Sequence, residues 1–235
     1  MIVSDPWNLS YQKSLEAKPS WSKHGMPYLF EEFIKMVKDN GDDGGLHLDI
    51  GCGDGVKTVN FALAGLKTIG VDISNDGFKE ARTLIKDLGI RKECKVIKTN
   101  ALMLPFSKGV FTSASDILMF THIKSRDWKK YKKQLLRVLK NRALVLLVLF
   151  SDKDKHFHGH QVSKEYTFRY ESDNQEMEGF AHYHGMVNVH FGKADIKKTF
   201  KDDFQIVKME EVQHPLYSHR FLWNVILRKN ESKTN

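Results

Sequence analysis

Short apolar runs alternate with segments in which apolar residues recur every three or four positions, from residue 26 to residue 150. The first pattern predicts buried strands, and the second predicts amphipathic helices. The predicted strands are 46–50, 68–71, 95–99, 110–115 and 143–150, and the predicted helices are 26–38, 56–64, 75–88 and 125–140. This alternation predicts an α/β fold, in which helices cover both faces of a parallel sheet with right-handed crossovers.

The pattern changes after Phe150, where residues 151–191 are rich in glycine, histidine, aromatic and charged side chains. Within this segment we predict a hairpin of 165–171 against 177–184, joined by a polar turn. A helix over 193–200 and two last strands, 204–212 and 220–228, follow it. No stretch of the sequence has the composition of a linker, so we expect a single domain over 1–235.

Composition supports a globular protein that can bury a core, because 41% of the 235 residues are hydrophobic and 28% are charged. The longest apolar run, 143–150, is too short to span a bilayer, so we expect no membrane association. No basic-then-apolar signal segment begins the sequence, so we expect a cytoplasmic protein. The two cysteines, Cys52 and Cys94, suggest neither a disulfide framework nor a zinc site.

The net charge of +8 would suit a polyanionic partner, but the excess is mostly lysine spread along the chain. Basic residues cluster on one predicted helix, 125–140, opposite its apolar stripe. They are Lys129, Lys130, Lys132, Lys133, Arg137 and Lys140. This basic face is either solvated or a contact for RNA or an acidic protein, and nucleic-acid binding is the less favoured interpretation.

The segment 46–55 reads Leu-His-Leu-Asp-Ile-Gly-Cys-Gly-Asp-Gly, which predicts a strand, a tight turn and a helix N-terminus. Such a turn holds an anionic or polar ligand in α/β proteins. Its glycines have the spacing G-x-G-x-G, whereas the dinucleotide fingerprint is G-x-G-x-x-G. Asp49 precedes them, and its carboxylate would repel a pyrophosphate but suits the ammonium of a methionine moiety. The sequence therefore favours S-adenosylmethionine over a dinucleotide.

Further polar and apolar residues follow the second and third predicted strands. Asp72 can accept hydrogen bonds from a ribose diol, although an acid there could instead cap the next helix. Ile73 with Ala101 and Leu102 could enclose a flat heterocycle, and Asn100 could bond to the edge of that ring. Because strand ends meet at one edge of a parallel sheet, we expect these residues to form one site.

At these motifs the chain resembles class I S-adenosylmethionine-dependent methyltransferases of the small-molecule type. The resemblance covers about residues 26–228. It is carried by the segments 48–55, 70–74, 100–106, 121–123 and 190–204. It implies a Rossmann-like, seven-stranded mixed sheet in the order 3-2-1-4-5-7-6, with the last strand antiparallel.

The resemblance also implies roles for individual residues. Asp49, Gly51, Cys52, Gly53 and Gly55 should line the methionine end of the cofactor. Asp72 should bind the ribose, Ile73, Asn100, Ala101 and Leu102 should flank the adenine, and Asp116 and Ile117 should lie near the sulfonium. Tyr11 and Trp21, in the N-terminal arm 1–25, either pack on the domain or close over the cofactor. Asn100 and the pair Asn141-Arg142 depart from the family pattern, which usually has Asp and two glycines there.

The acceptor is less defined than the cofactor. The family usually builds its substrate cover from the region that is 151–191 here, and this region contains six histidines: His156, His158, His160, His182, His184 and His190. They could ligate a metal, pack or be solvated, or bind the acceptor. The candidates for a catalytic base are His122, His182 and His184, although in-line methyl transfer needs a base only if the acceptor must lose a proton.

We therefore expect methyl transfer from S-adenosylmethionine to an oxygen, nitrogen or sulfur atom of a small molecule. Two alternatives remain open: an RNA or protein methyltransferase that uses the basic surface, and a catalytically silent cofactor-binding protein. Asp116-Ile-Leu-Met stands where amino-methylating enzymes of nucleic-acid bases have Asn/Asp-Pro-Pro-aromatic, which disfavours that activity.

Overall fold

The computed structural model describes residues 27–41, 44–154, 165–167, 186–214 and 217–231. The predictions for the arm 1–25, with Tyr11 and Trp21, lie outside these residues. So do the predictions for His182 and His184 and for most of the predicted hairpin. No helix in the described part of the chain is long and apolar enough to cross a membrane.

Helices and strands alternate as the pattern of apolar positions predicts. The helices are α1 (Phe30–Asp39), α2 (Val56–Leu63), α3 (Asn75–Asp87), α4 (Trp128–Val138) and α5 (Lys193–Phe200). The strands are β1 (Leu46–Ile50), β2 (Lys67–Asp72), β3 (Cys94–Lys98), β4 (Phe111–Ile117), β5 (Leu139–Ser151), β6 (Glu165–Thr167), β7 (Val187–Phe191), β8 (Phe204–His214) and β9 (Tyr217–Lys229). Within the described residues, β7 is the one strand that the sequence pattern missed.

Seven of these strands have the expected order, β3-β2-β1-β4-β5-β9-β8. Strands β1 to β5 are parallel, and β9 is antiparallel to both β5 and β8. The predicted mixed sheet and its antiparallel last strand are confirmed. The predicted count of seven is too low, because β6 and β7 add two short strands to the described part of the sheet.

Strand β7 extends the sheet beyond the end of β4. Phe150 of β5 pairs with Leu222 of β9 and also with His190 of β7, so β7 and β9 lie on opposite edges of β5. The edge that β7 occupies is the one where β4 pairs until Ile117. Strand β6 pairs with β7 through Glu165–Val189, whereas the predicted partner, 177–184, lies outside the described residues.

The apolar run of β5 is buried on both faces, as is typical of a central parallel strand. Leu144 and Leu146 pack in a cluster with residues of α1 and α2. Val145, Leu147 and Leu149 pack in a second cluster with residues of α4 and α5 on the other face. The side chains of this run therefore alternate between the two helix layers, which fixes β5 at the centre of the sheet.

Candidate functional site

The loop after β1 folds tightly over the end of β2. The backbone N–H groups of Gly51 and Cys52 both donate to Val71 O, at 2.8 and 3.0 Å. Gly51 has φ +75°, and a Cβ on it would lie 2.4 Å from Met119 Cβ. Gly55 has φ +80° at the start of α2, where a Cβ would lie 2.7 Å from Ala81 Cβ. Glycine is therefore required at both positions by conformation and by space.

Asp49 is a buried carboxylate in the wall of a cavity at the carboxyl ends of the strands. Its Oδ2 accepts a hydrogen bond from Thr58 Oγ1 at 2.6 Å, and its Oδ1 accepts one from Ser115 Oγ at 2.6 Å. Burial raises the pKa of Asp49, and the two hydroxyl donors act against that shift. Each oxygen retains a second lone pair, so the carboxylate can also accept from a cationic ligand.

A chain of buried hydrogen bonds supports Asp49 from behind. Ser115 donates to the carboxylate, so its oxygen accepts from Nε2 of His47 at 3.0 Å. The other ring nitrogen of His47, Nδ1, then accepts from Ser113 Oγ at 2.9 Å. Burial lowers the pKa of His47 to about 3, which keeps the ring neutral and gives this donor and acceptor pattern.

Sequence reasoning missed this series of hydrogen bonds, although the sequence contains a signal for it. His47 and Asp49 alternate on β1, and Ser113 and Ser115 alternate on β4. The parallel register pairs His47 with Ser113 and Asp49 with Ser115, which places all four polar side chains on one face. Two polar residues at spacing two in each of two neighbouring buried strands indicate such a network.

Asp72 joins the glycine loop to the start of α3. Its Oδ2 accepts from Gly53 N at 2.9 Å, and its Oδ1 accepts from Ser74 N at 2.7 Å. The helix itself is capped by Ser74, whose hydroxyl accepts from Gly77 N at 3.2 Å. Asp72 is therefore not the cap of α3. Its carboxylate lines the cavity and keeps lone pairs for further donors.

The predicted adenine residues lie together at one end of the same cavity. Ile73 is 44% exposed there, a large apolar side chain that a flat ring could cover, and Ala101 and Leu102 line the wall beside it. Asn100 Oδ1 accepts from the backbone N–H of Leu102 at 2.8 Å. Asn100 can still present its amide NH₂ to a ligand, together with the second lone pair of Oδ1.

The structure places Asp116 away from the cavity. Its Oδ2 accepts from Tyr131 OH at 2.6 Å and its Oδ1 from Phe120 N at 2.9 Å, and the side chain is fully buried. Burial raises the pKa of Asp116 to about 7. Side chains alternate along β4, so Asp116 faces α4 on the face opposite Ser115. Its neighbours Ile117 and Leu118 line the cavity instead, and Leu118 has the unusual φ of +71°.

The cavity has a volume of about 590 Å³ and joins these residues to a second group on β5, β7, β8 and β9. Of the predicted glycine-loop residues, Gly51, Cys52 and Gly53 line it, and Gly55 does not. The second group contains side chains that sequence reasoning did not single out. They are Val148, Phe150, Val187, Val212, His214, Arg220, Leu222 and Asn224.

His122 also lines the cavity, between the two groups of residues. Its Nδ1 lies 2.7 Å from Val187 O, to which it donates, because a carbonyl oxygen can only accept. Burial lowers the pKa of His122 to about 4, so the ring is neutral at pH 7 and Nε2 is its proton acceptor. His122 is the one predicted base candidate that the described residues contain.

Comparisons with known proteins agree with this geometry. Residues 48–142 match the family model described as a methyltransferase domain. The sterol 4-C-methyltransferase strm-1 of Caenorhabditis elegans is 31% identical over 111 residues, which are 46% of this chain and 33% of that protein. The chain thus matches about a third of the length of this curated relative.

Solved structures share the fold along most of the chain. A 1,6-didemethyltoxoflavin-N1-methyltransferase from Burkholderia thailandensis superposes with a TM-score of 0.70 at 14% identity, covering 96% of this chain and 88% of that one. An S-adenosylmethionine-dependent methyltransferase from Methanosarcina mazei gives 0.66 at 20% identity, with coverages of 84% and 98%. A magnesium protoporphyrin IX methyltransferase from Synechocystis gives 0.65 at 16% identity, with coverages of 97% and 99%. Residues 48–142 thus match a methyltransferase domain, and the chain as a whole shares the fold of solved S-adenosylmethionine-dependent methyltransferases.

Proposed function

We propose that this protein transfers the methyl group of S-adenosylmethionine to a small-molecule acceptor by in-line displacement. The observation that carries the proposal is a cavity of about 590 Å³ that most of the predicted cofactor residues in the described part of the chain share with His122 and with residues of β5, β7, β8 and β9. Methyl transfer needs both reactants in one enclosed space from which water is excluded. A cavity of this size is typical of small-molecule sites.

The residues at one end of the cavity fit S-adenosylmethionine. Asp49 is buried and lines the cavity, so its carboxylate suits the ammonium group of the methionine moiety. Asp72 offers lone pairs to the ribose hydroxyls, and the exposed side chain of Ile73 offers an apolar surface to the adenine. When bound, the cofactor would supply a methyl group on a sulfonium, from which a neutral thioether is a good leaving group.

His122 is the residue that we assign to proton transfer. Its neutral ring is held by the Nδ1–H bond to Val187 O, so Nε2 can take the proton that an acceptor hydroxyl or amine loses as the new bond to the methyl carbon forms. The proton then passes from His122 to solvent. An acceptor that is already a free nucleophile would not need this step.

The small-molecule assignment is supported by what the similar proteins are named for: a sterol, a didemethyltoxoflavin and a magnesium porphyrin. The basic face of α4 offers less support for an RNA substrate than the sequence suggests. Lys132 donates to Thr199 O and pairs with Asp203 at 2.8 Å, and Arg137 donates to Leu104 O at 2.7 Å. These two cations therefore serve contacts within the protein.

Calorimetric titration of the full chain with S-adenosylmethionine and, separately, with NAD tests the cofactor. We expect saturable binding of S-adenosylmethionine and no binding of NAD. No binding of the former, or tighter binding of the latter, would overturn the proposal. For the RNA alternative, a binding curve that is unchanged across salt concentrations would remove its electrostatic basis.

A further inference from the structure

Three neighbouring strands form part of the wall of the cavity. Val148 of β5 pairs with Asn224 of β9, and in the next row on the same face Phe150 pairs with Leu222. Leu222 in turn pairs with Val212 of β8. These five residues all line the cavity, and we call them the three-strand floor.

Four members of the three-strand floor are apolar, and the fifth, Asn224, is the polar exception. Val148 and Phe150 are each 2% exposed, and Asn224 is 3% exposed. An acceptor that lies on the three-strand floor therefore meets aliphatic and aromatic carbon on most of its surface. Such a surface stabilises an apolar body and gives a charged one nothing in exchange for its lost hydration.

The Oδ1 atom of Asn224 is buried and has no hydrogen-bond partner among the described residues. A buried carbonyl oxygen in this condition costs free energy until a donor reaches it. Because the side chain lines the cavity, a bound molecule can supply that donor. Among the five residues of the three-strand floor, only Asn224 has a side chain that can fix the orientation of a ligand by a hydrogen bond.

The charged and titratable groups at this end of the cavity are balanced. Arg220 lies with its guanidinium carbon 4.9 Å from the centre of the Phe150 ring, and its Nε is 3.7 Å from Asp154 Oδ2. Both side chains of this ion pair are buried. Because the two opposite charges lie close together, they compensate each other. Burial lowers the pKa of His122 and of His214, which leaves both rings neutral at pH 7.

We propose that the methyl acceptor is an uncharged molecule with an apolar body, which lies on the three-strand floor and donates a hydroxyl or N–H hydrogen bond to Asn224 Oδ1. This inference rests on the proposed function for calling the ligand an acceptor. The hydrogen bond sets which edge of the molecule faces His122, whose ring packs edge-on against Phe150 at 5.7 Å.

Indole and 1-methylindole are a matched pair of probes, because they differ in one N–H donor and neither carries a charge. Titrations of the full chain, with and without S-adenosylhomocysteine, would measure both dissociation constants by calorimetry. We expect indole to bind about tenfold more tightly than 1-methylindole, the ratio for one hydrogen bond to a buried acceptor. We also expect indole-3-carboxylate, which keeps the N–H and adds a charge, to bind more weakly than indole.

The variant Asn224→Leu should bring the ratio of the two constants to about one, because the apolar replacement has no acceptor. Asn188→Leu is the matched control, since Asn188 is also fully buried with an unpartnered Oδ1 but does not line the cavity. It should leave the ratio unchanged. If Asn224→Leu does not fold, Asn224→Ala, whose side chain also has no acceptor, serves in its place, and the ratio in the unaltered protein already tests the proposal.

Equal binding of the two probes by the unaltered protein would overturn the proposal, as would undetectable binding of indole or tighter binding of indole-3-carboxylate. The proposal would also be overturned if Asn224→Leu kept the ratio of the two dissociation constants seen in the unaltered protein. The cofactor titration separates this inference from the proposed function. S-adenosylmethionine binding without selectivity for indole removes the Asn224 assignment, whereas selectivity without S-adenosylmethionine binding removes methyl transfer.

Discussion

Ser115 Oγ donates a hydrogen bond to Asp49 Oδ1 at 2.6 Å, and Nε2 of His47 lies 3.0 Å behind the same hydroxyl. The carboxylate that faces the cavity is thus held by a series of hydrogen-bonded side chains that runs along one face of the sheet to Ser113. A neutral histidine that is fully buried fixes the direction of every donor in that chain, because only one of its ring nitrogens carries hydrogen.

Replacing Ser115 by alanine should weaken the binding of S-adenosylmethionine about fivefold to tenfold, because Asp49 loses a donor that holds its charge and its orientation. Calorimetric titration measures the change. Ser113→Ala is the matched control, since Ser113 contacts the far nitrogen of His47 and not the carboxylate. Equal losses in both variants would show that the chain supports the fold and does not position Asp49.

Replacing Asp72 by alanine should weaken the binding of S-adenosylmethionine at least about tenfold, because it removes the proposed ribose acceptor and the bond to Gly53 N together. Asp76→Ala removes the same charge from the first turn of α3, where Asp76 pairs with Lys79 in an i,i+3 contact. That control should bind as the unaltered protein does. An unchanged affinity of Asp72→Ala would mean that the ribose assignment is wrong.

Stability should depend on pH through His122, whose pKa is about 4 in the fold against 6.5 in an exposed histidine. The unfolded chain takes up this proton first, so the contribution is fully present above pH 6.5 and is lost as the pH falls toward 4. The shift corresponds to a loss on the order of 3 kcal/mol.

Urea titrations at several pH values test this dependence through a difference between two proteins. His122→Gln has no group that titrates in the window, so it should lose less unfolding free energy between pH 6.5 and pH 4 than the unaltered protein does. Because other buried groups titrate identically in both proteins, the difference isolates His122. Parallel pH profiles for the two would contradict the assignment.

Arg142 has φ +62° at the bulge near the start of β5, a left-handed conformation that side chains rarely adopt. Replacing it by glycine should raise the unfolding free energy by about 1 kcal/mol, since glycine adopts this conformation without strain. Its ion pair with Glu231 is exposed on both sides and offsets little of that gain. Asn141→Gly, at the adjacent residue, should lower stability, and thermal or urea unfolding distinguishes the two results.

Much of the fold was predictable because its signals are local. The apolar run 143–150 can be buried only between two helix layers, and the glycine spacing at 51, 53 and 55 can be satisfied only by a tight turn. Strand β7 had no such signal. Its five residues join the sheet through contacts with the end of β5 and with His122, which are distant in sequence.

The residues of the candidate site also differ in whether local sequence signals predict them. The sequence by itself predicted that Asp49, Asp72 and Asn100 share one cavity. Asp49 and Asp72 lie at the carboxyl ends of β1 and β2, Asn100 comes shortly after β3, and parallel strands bring their carboxyl ends together. Tertiary structure alone decided that Asp116 faces Tyr131 instead of the cavity. It also decided that Asn224 and Arg220, on the last strand, line the cavity. Which face a buried polar residue takes depends on the register and the packing of partners far along the chain, and no local pattern encodes them.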